Sequence, residues 1–270
     1  MRRREFIALL GGAATWSLAA RAQDAGRTYR IGFLLPSPRN SPAVVAMFDQ
    51  LRLNGFVEGQ NLIVIPGGFG VPNDQIAGVV ASLVAASPDV IVAGPELPLR
   101  ALSLATRTIP LVGMSEDMVA DGLVASFARP GGNIRGISLL SPELDGKRQE
   151  IVIEAVPGVR KIAVLVDSNV AKPVHLQQLQ QAAESRGVEA LIRGVAKPED
   201  GALIGYGPRF TGVYRMRANM AATVLRGTMP ADIPIEQPTR FELIINLKTA
   251  KTIGHPVPSS LLLHADRVIE

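Results

Sequence analysis

Short apolar runs alternate with amphipathic stretches along most of the chain. Residues 29–35, 61–65, 89–93 and 109–113 are dominated by apolar residues, the pattern of strands buried on both faces. The segments between them carry apolar residues at helical spacing. Ser41 stands where a helix N-cap belongs and Pro42 at the first helical position, where its missing N–H is not needed; Val44, Met47, Phe48 and Leu51 form one stripe, and Asn54-Gly55 ends it. Residues 73–86 and 98–106 predict two more helices, and a short helix is expected around 118–127, before the loop Arg129-Pro130-Gly131-Gly132-Asn133. The rhythm then repeats: a strand-like run at 134–140, a helix at 143–156 stopped by Pro157-Gly158, a strand at 161–166, a helix from Pro173 to Arg186-Gly187, and a strand at 188–195. Such βα repetition predicts an α/β fold of two doubly wound parallel-sheet lobes. After Val195 it breaks. Residues 197–200 are polar and 201–206 is again strand-like, with no helix between; a helix at 211–226, a turn at 227–232, a strand at 241–247, a short helix at 249–253 and a closing helix within 258–269 complete the chain.

Ahead of this pattern lies a leader. Arg2, Arg3 and Arg4 precede an apolar stretch over 6–20, and Ala20-Arg21-Ala22 offers small residues at the two positions a signal peptidase reads. Arg3-Arg4-Glu5-Phe6-Ile7 has the paired arginines and apolar pair of the twin-arginine route, so residues 1–22 are expected to be a cleaved twin-arginine signal peptide and the protein to work in the periplasm. An apolar stretch of about fifteen residues, interrupted by Gly11-Gly12, falls short of the roughly 20 needed to span a bilayer, so no membrane insertion is expected after cleavage.

The leader changes the reading of charge. It holds four of the 28 basic residues and one of the 24 acidic ones, which leaves 24 against 23 in the rest. The basicity of the whole chain thus gives no warrant for a nucleic-acid partner. The chain contains no cysteine, which excludes disulfides, thiolate metal sites and a cysteine nucleophile.

Open α/β sheets bind ligands outside the carboxyl ends of their strands. The loops there are 36–40, 94–97, 114–117, 167–170 and 206–209. They are rich in small polar groups, and Ser37, Ser41, Glu96, Ser115, Asp167, Asn169 and Tyr206 are the candidates to hold a small polar or zwitterionic solute. Free amides at a helix start such as that at Ser41 suit a carboxylate. Each candidate has a plainer alternative: Ser41 as a helix cap, Glu96 as a solvated loop acid, Asp167 as a partner of backbone N–H groups. Signatures of catalysis are weak. His175, His255 and His264 have no carboxylate or second histidine at metal-ligand spacing, and neither GxGxxG nor GxSxG occurs, so no cofactor, metal or catalytic residue is assigned.

Four stretches carry a resemblance. The leader, the segment 123–133 ending in Arg129-Pro130-Gly131-Gly132-Asn133, the motif Ser141-Pro142-Glu143-Leu144-Asp145-Gly146-Lys147 with Gly205-Tyr206-Gly207-Pro208, and the tail 236–251 together resemble the tryptophan/tyrosine-type substrate-binding proteins of bacterial ABC transporters. The resemblance implies a type I periplasmic-binding-protein fold, three chain crossings between lobes, hinge closure on a small organic solute such as an amino acid or aromatic compound, and delivery to an ABC permease; the sequence does not fix the oligomeric state, and a monomer is the expectation. It places 28–136 with 208–229 in lobe one and 137–207 with 230–270 in lobe two. Ser37, Glu96 and Ser115 would then face the solute from lobe one, and Asp167, Asn169 and Tyr206 from lobe two. Relatives of this type carry further βα units where this chain has only 196–201, so roughly 50 residues, two strands with their helices, are expected to be missing from a shortened second lobe. Two other classes stay open: an impaired binding protein acting as an interaction module, and an exported α/β enzyme that would need His175 beside Ser168 or Asp167.

Overall fold

The computed structural model describes residues 26–139, 141–167, 173–195 and 203–270; the expected leader and the junction 196–201 lie outside the described residues. Five of the apolar runs become strands of one parallel sheet: β1 (Tyr29–Leu34), β2 (Leu62–Val64), β3 (Val90–Pro95), β4 (Leu111–Ser115) and β5 (Ile134–Ser138), in the order β2-β1-β3-β4-β5. The order reverses between β1 and β3, the point where an open α/β sheet leaves a crevice beyond its carboxyl edge. The helix predicted from Pro42 is α1 (Pro42–Leu53), which buries Val44, Ala46, Met47 and Leu51 on one face of the sheet. Val44, Met47 and Leu51, fully removed from water, each contribute on the order of 1.5–3 kcal/mol. A 3₁₀ turn (Asn73–Gln75) leads into α2 (Ile76–Ala85), which with α3 (Leu97–Ala105) covers the opposite face.

The helix expected around 118–127 is not formed. Asp117 Oδ1 accepts the N–H groups of Val119 and Ala120 at 3.0 Å each and caps a single turn, which Gly122, with a φ of +67°, ends at once. The Arg129–Asn133 motif has an architectural role. Gly131 and Gly132 both have positive φ (66° and 61°), and the buried Asn133 amide donates to the carbonyls of Thr106 and Ile109 at 3.3 and 2.7 Å. This clamp sets the entry of β5 at the amino edge of the sheet. Beyond it, a Cβ built on Gly136 would lie 2.1 Å from the Gly113 carbonyl oxygen, so β4 and β5 approach as closely as they do because that position is glycine.

Next come α4 (Ser141–Ala155), β6 (Lys161–Asp167), α5 (Pro173–Glu184) and β7 (Glu189–Val195), with β6 and β7 parallel in full register. β8 (Ile204–Pro208) follows, and the chain then runs into α6 (Phe210–Leu225), which lies beside α1 on the first sheet and buries Val213, Tyr214, Ala218, Ala221 and Leu225 there. A 3₁₀ turn (Pro230–Asp232) precedes β9 (Phe241–Asn246), α7 (Leu247–Thr252), α8 (Ser259–His264) and β10 (Arg267–Ile269). The closing helix expected within 258–269 is therefore only half right: it stops at His264, and Arg267–Ile269 pairs parallel with β9. Asp266 accounts for the change, since its N–H donates to the Leu243 carbonyl at 2.9 Å and its carboxylate accepts the Leu243 N–H at 2.8 Å.

The second region also departs from a single parallel sheet. Its described strands form a two-stranded sheet, β6-β7, and a three-stranded sheet, β10-β9-β8, in which β8 is antiparallel to β9. Only residues 196–203 separate β7 from β8, too few for the crossover that a parallel neighbour requires. The cores match this division. Ile151, Ala155, Leu243, Ile245 and Leu261 pack in one small cluster, and Ile162, Ala183, Val188 and Ala190 in another. Arg148 on α4 ties the helix to β8: its Nε donates to the Tyr206 carbonyl at 3.0 Å while Nη1 meets Asp145 at 2.9 Å.

Three segments link the two regions, and backbone hydrogen bonds join them. The chain leaves after β5, enters α6 at Pro208-Arg209, and returns along 233–240. Ser138 N–H donates to the Glu236 carbonyl at 3.0 Å, Glu236 N–H to the Gly136 carbonyl at 3.1 Å, and Arg209 N–H to the Arg240 carbonyl at 3.2 Å.

Candidate functional site

A cleft of about 640 Å³ opens where the first sheet's carboxyl edge faces the three-stranded sheet. The turn after β1 supplies Pro36 and Ser37, the start of α1 supplies Ser41, Pro42 and Ala43, the ends of β3 and β4 supply Pro95 and Met114, and the start of α6, on the same sheet, supplies Phe210, Thr211 and Tyr214. Arg209 stands at the link between the regions, and the facing wall is Glu242 on β9 and Asp266-Arg267 at the start of β10. The interior is thus largely apolar, with ionic groups on one wall.

Of the sequence candidates, Ser37 and Ser41 line the cleft. Ser37 is held by its carbonyl, which accepts the Gly70 N–H at 3.0 Å. Ser41 occupies the N-cap position of α1 with extended backbone, yet its side chain makes no cap bond, and its Oγ is buried without a protein hydrogen-bond partner. The plain capping role is therefore not what this hydroxyl performs. Ser115, at the end of β4, is also buried with its Oγ unpartnered, one residue beyond the cleft-lining Met114. Glu96 precedes α3 with a φ of +43°, a backbone conformation that costs a non-glycine residue on the order of 1 kcal/mol or more. Its neighbour Pro95, not Glu96, faces the cleft. Asp167 ends β6, paired with Val195, and Asn169 lies outside the described residues. Tyr206 is not brought to the cleft. It packs against the core of the three-stranded sheet, its ring stacked 6.0 Å from that of Phe241.

Sequence reasoning missed most of the remaining lining. Arg209 falls in a loop it singled out, but Phe210 lay between that loop and the predicted helix 211–226, Tyr214 inside that helix, Glu242 inside a strand, and Asp266-Arg267 in the segment read as a closing helix. One signal was present: Glu242 interrupts an otherwise apolar run. Arg209 Nε and Glu242 Oε2 lie 3.4 Å apart, a partly exposed pair of little energetic weight.

No histidine is among the described residues lining the cleft. His255 Nε2 lies 2.9 Å from the Ala155 carbonyl and His264 Nδ1 2.7 Å from that of Ser260, and among the described residues no group of three His, Cys, Asp or Glu side chains is placed to hold a metal. No helix among the described residues is long and apolar enough to cross a membrane.

Comparison with known proteins agrees with this architecture. Residues 68–200 and 194–269 match the family described as ABC transporter substrate binding protein, and the two matched segments meet at 194–200, where the βα rhythm breaks. A tyrosine-binding protein of Clostridioides difficile is 26% identical over 178 residues, which are 64% of this chain and 51% of that protein; the chain spans about half the length of this curated relative. Among solved structures, a conserved domain protein from Vibrio cholerae superposes with a TM-score of 0.79 at 22% identity, covering 90% of this chain and 100% of that one. An ABC domain in complex with L-Trp from Streptococcus pneumonia gives 0.75 at 20% identity, covering 90% and 100%. The ligand-free, open form of a substrate-binding protein with adhesive properties from Clostridium difficile gives 0.70 at 20% identity, covering 90% and 99%. At these identities the likeness is one of fold.

Proposed function

We propose, because the chain belongs to the ABC transporter substrate-binding protein family, that it is the solute receptor of a bacterial ABC importer, exported by the leader at 1–22 and working in the periplasm. The family is non-catalytic and extracytoplasmic. The observation that carries the reading is the cleft: an apolar interior of Pro42, Pro95, Met114, Phe210 and Tyr214, an unpaired Ser41 hydroxyl at the start of α1, and an ionic wall on the facing region. This combination fits a small organic solute with an apolar or aromatic body and a polar head. The tyrosine and L-Trp named for relatives are of that kind.

The seven sequence candidates enter this proposal unequally. Ser37 and Ser41 would contact the solute, Ser115 and Glu96 would shape the edge around it, Asp167 and Asn169 would approach from the second lobe on closure, and Tyr206, stacked on Phe241, would support β8 and not touch the solute. The second lobe is read as lacking about two βα units, each worth roughly 30 residues with its flanking strand. The split into β6-β7 and β10-β9-β8 and the meeting of the family matches at 194–200 support that reading. A lobe with a thinner wall holds its solute less tightly, and the permease is the partner that receives it.

The test is ligand-induced stabilisation of the purified protein. A solute that binds only the folded state raises the melting temperature saturably. L-tyrosine, L-tryptophan or a related aromatic acid is expected to do so at millimolar concentration or below. No shift with any member of a broad library of amino acids, organic acids and sugars would overturn the receptor reading.

A further inference from the structure

Arg217 stands at the middle of α6, on the stripe that otherwise buries Val213, Tyr214, Ala218 and Ala221. It is fully buried, and among the described residues no carboxylate pairs with it. Its Nη2 donates to the Ala93 carbonyl, its Nη1 lies 3.9 Å from Met114 Sδ, its guanidinium sits 4.9 Å from the centroid of the Tyr214 ring, and its Nε has no protein partner. Met114 and Tyr214 both line the cleft. The cation therefore lies one side-chain layer behind the cleft floor, at the carboxyl ends of β3 and β4.

A buried cation without an acid is costly, and something must offset it. Burial pushes the Arg217 guanidinium down to about 10, with Tyr214 acting in the opposite sense, so it remains charged at neutral pH. The cleft wall does not supply the missing anion. Arg209 and Glu242 pair with each other, and the Asp266 carboxylate accepts the Leu243 N–H beside the cationic Arg267. Those four charges cancel. Arg217 is left over.

We propose that Arg217 is a specificity-determining residue which, acting through space from behind Met114 and Tyr214, makes the cleft select a solute bearing a carboxylate. The inference rests on the reading of the cleft as the solute site. Charge interactions across a desolvated layer of two side chains are weakly screened, so a carboxylate over Met114 and Tyr214 gains where a carboxamide of the same shape does not. The guanidinium makes no ion pair with the solute; it sets the field in which the solute's head group lies.

The experiment compares matched acids and amides on the purified protein by calorimetry: L-tyrosine with L-tyrosinamide, L-tryptophan with L-tryptophanamide, phenylacetate with phenylacetamide, and glucose and ribose as uncharged solutes. The acid of a bound pair is expected to bind about tenfold or more tightly than its amide. Arg217→Met is expected to bring that ratio to near unity while leaving the ligand-free melting temperature unchanged or raised, and Arg217→Lys to keep most of the preference. Arg217→Gln, neutral but able to donate to the Ala93 carbonyl, serves if the Met variant does not fold. A merely structural arginine would lower stability without moving the ratio. Amides bound as well as acids, a ratio indifferent to loss of the charge, or sugars bound in place of acids would overturn the inference; sugar binding would leave the receptor reading standing, whereas no binding at all would remove both.

Discussion

Ser41 occupies a cap position without capping, and its replacement separates the two roles a helix-start serine can play. Loss of a true N-cap costs about 1 kcal/mol. Since the Ser41 Oγ makes no such bond, Ser41→Ala is expected to change the denaturation midpoint by less than about half of that cost, while a solute seated in the cleft loses on the order of five- to tenfold in affinity. Equilibrium denaturation and calorimetry on the same variant check both halves. Glu236 offers a pH test. Its side chain reaches solvent, yet packing of the returning segment along β5 desolvates the carboxyl enough to push it above the usual carboxylate range. In the interval between the ordinary value and the raised one, the folded protein binds more protons than the unfolded chain, so stability from this group is full at low pH and is lost as pH rises through the folded value. Glu236→Gln, which mimics the protonated acid, is expected to raise the melting temperature at pH 7 and to give no gain near pH 4. Thermal scans across that range measure it. Neither behaviour was legible in the sequence. A serine before a proline announces a cap, and nothing local says that its hydroxyl will be buried without a partner beside a cleft formed by residues far along the chain.

Elements were read well where burial on both faces enforces a continuous apolar run, and poorly where a single side chain competes for the backbone. β1, β3 and β4 fell close to their predicted positions because their runs are apolar almost throughout, Arg30 near the start of β1 excepted. The 118–127 segment has enough apolar residues for a helix, and Asp117 caps a first turn there, but the chain turns off at Gly122, whose φ is +67°, and the helix is not propagated. At the far end, Asp266 ties the chain to Leu243 and the last residues become β10, which brings Arg267 to the cleft. The resemblance motifs serve the framework. Arg129–Asn133 forms the loop expected there, at the edge of the sheet opposite the cleft, and Tyr206 packs against the core beneath β8. The β4–β5 contact gives an element-scale prediction. With a Cβ placed 2.1 Å from the Gly113 carbonyl oxygen, Gly136→Ala must part the two strands or break their register, at a cost of roughly 2–3 kcal/mol, and chemical denaturation is expected to show it as a lower midpoint with an unchanged slope.

At the scale of the molecule, the two regions differ in what holds them. The first sheet is covered on both faces, by α1 and α6 on one side and by α2 and α3 on the other, whereas the second region rests on two small clusters beneath two short sheets. Amide exchange is expected to follow this contrast: β6 and β7 should exchange well before β1, β3 and β4, and a bound solute should slow exchange in β9 and β10 as well as in α1. Uniform protection across both regions would show that they unfold as one unit. The links between them carry a consequence of their own. Because Ser138 and Arg209 bond the returning segment at Glu236 and Arg240, sliding one crossing segment along another would break backbone hydrogen bonds, whereas bending across the ribbon would not. A joint of that kind favours opening and closing of the cleft over sideways displacement of its walls, so loss or gain of strands at the far edge of the second region is expected to leave Arg209, Glu242 and Arg267 opposite Ser41.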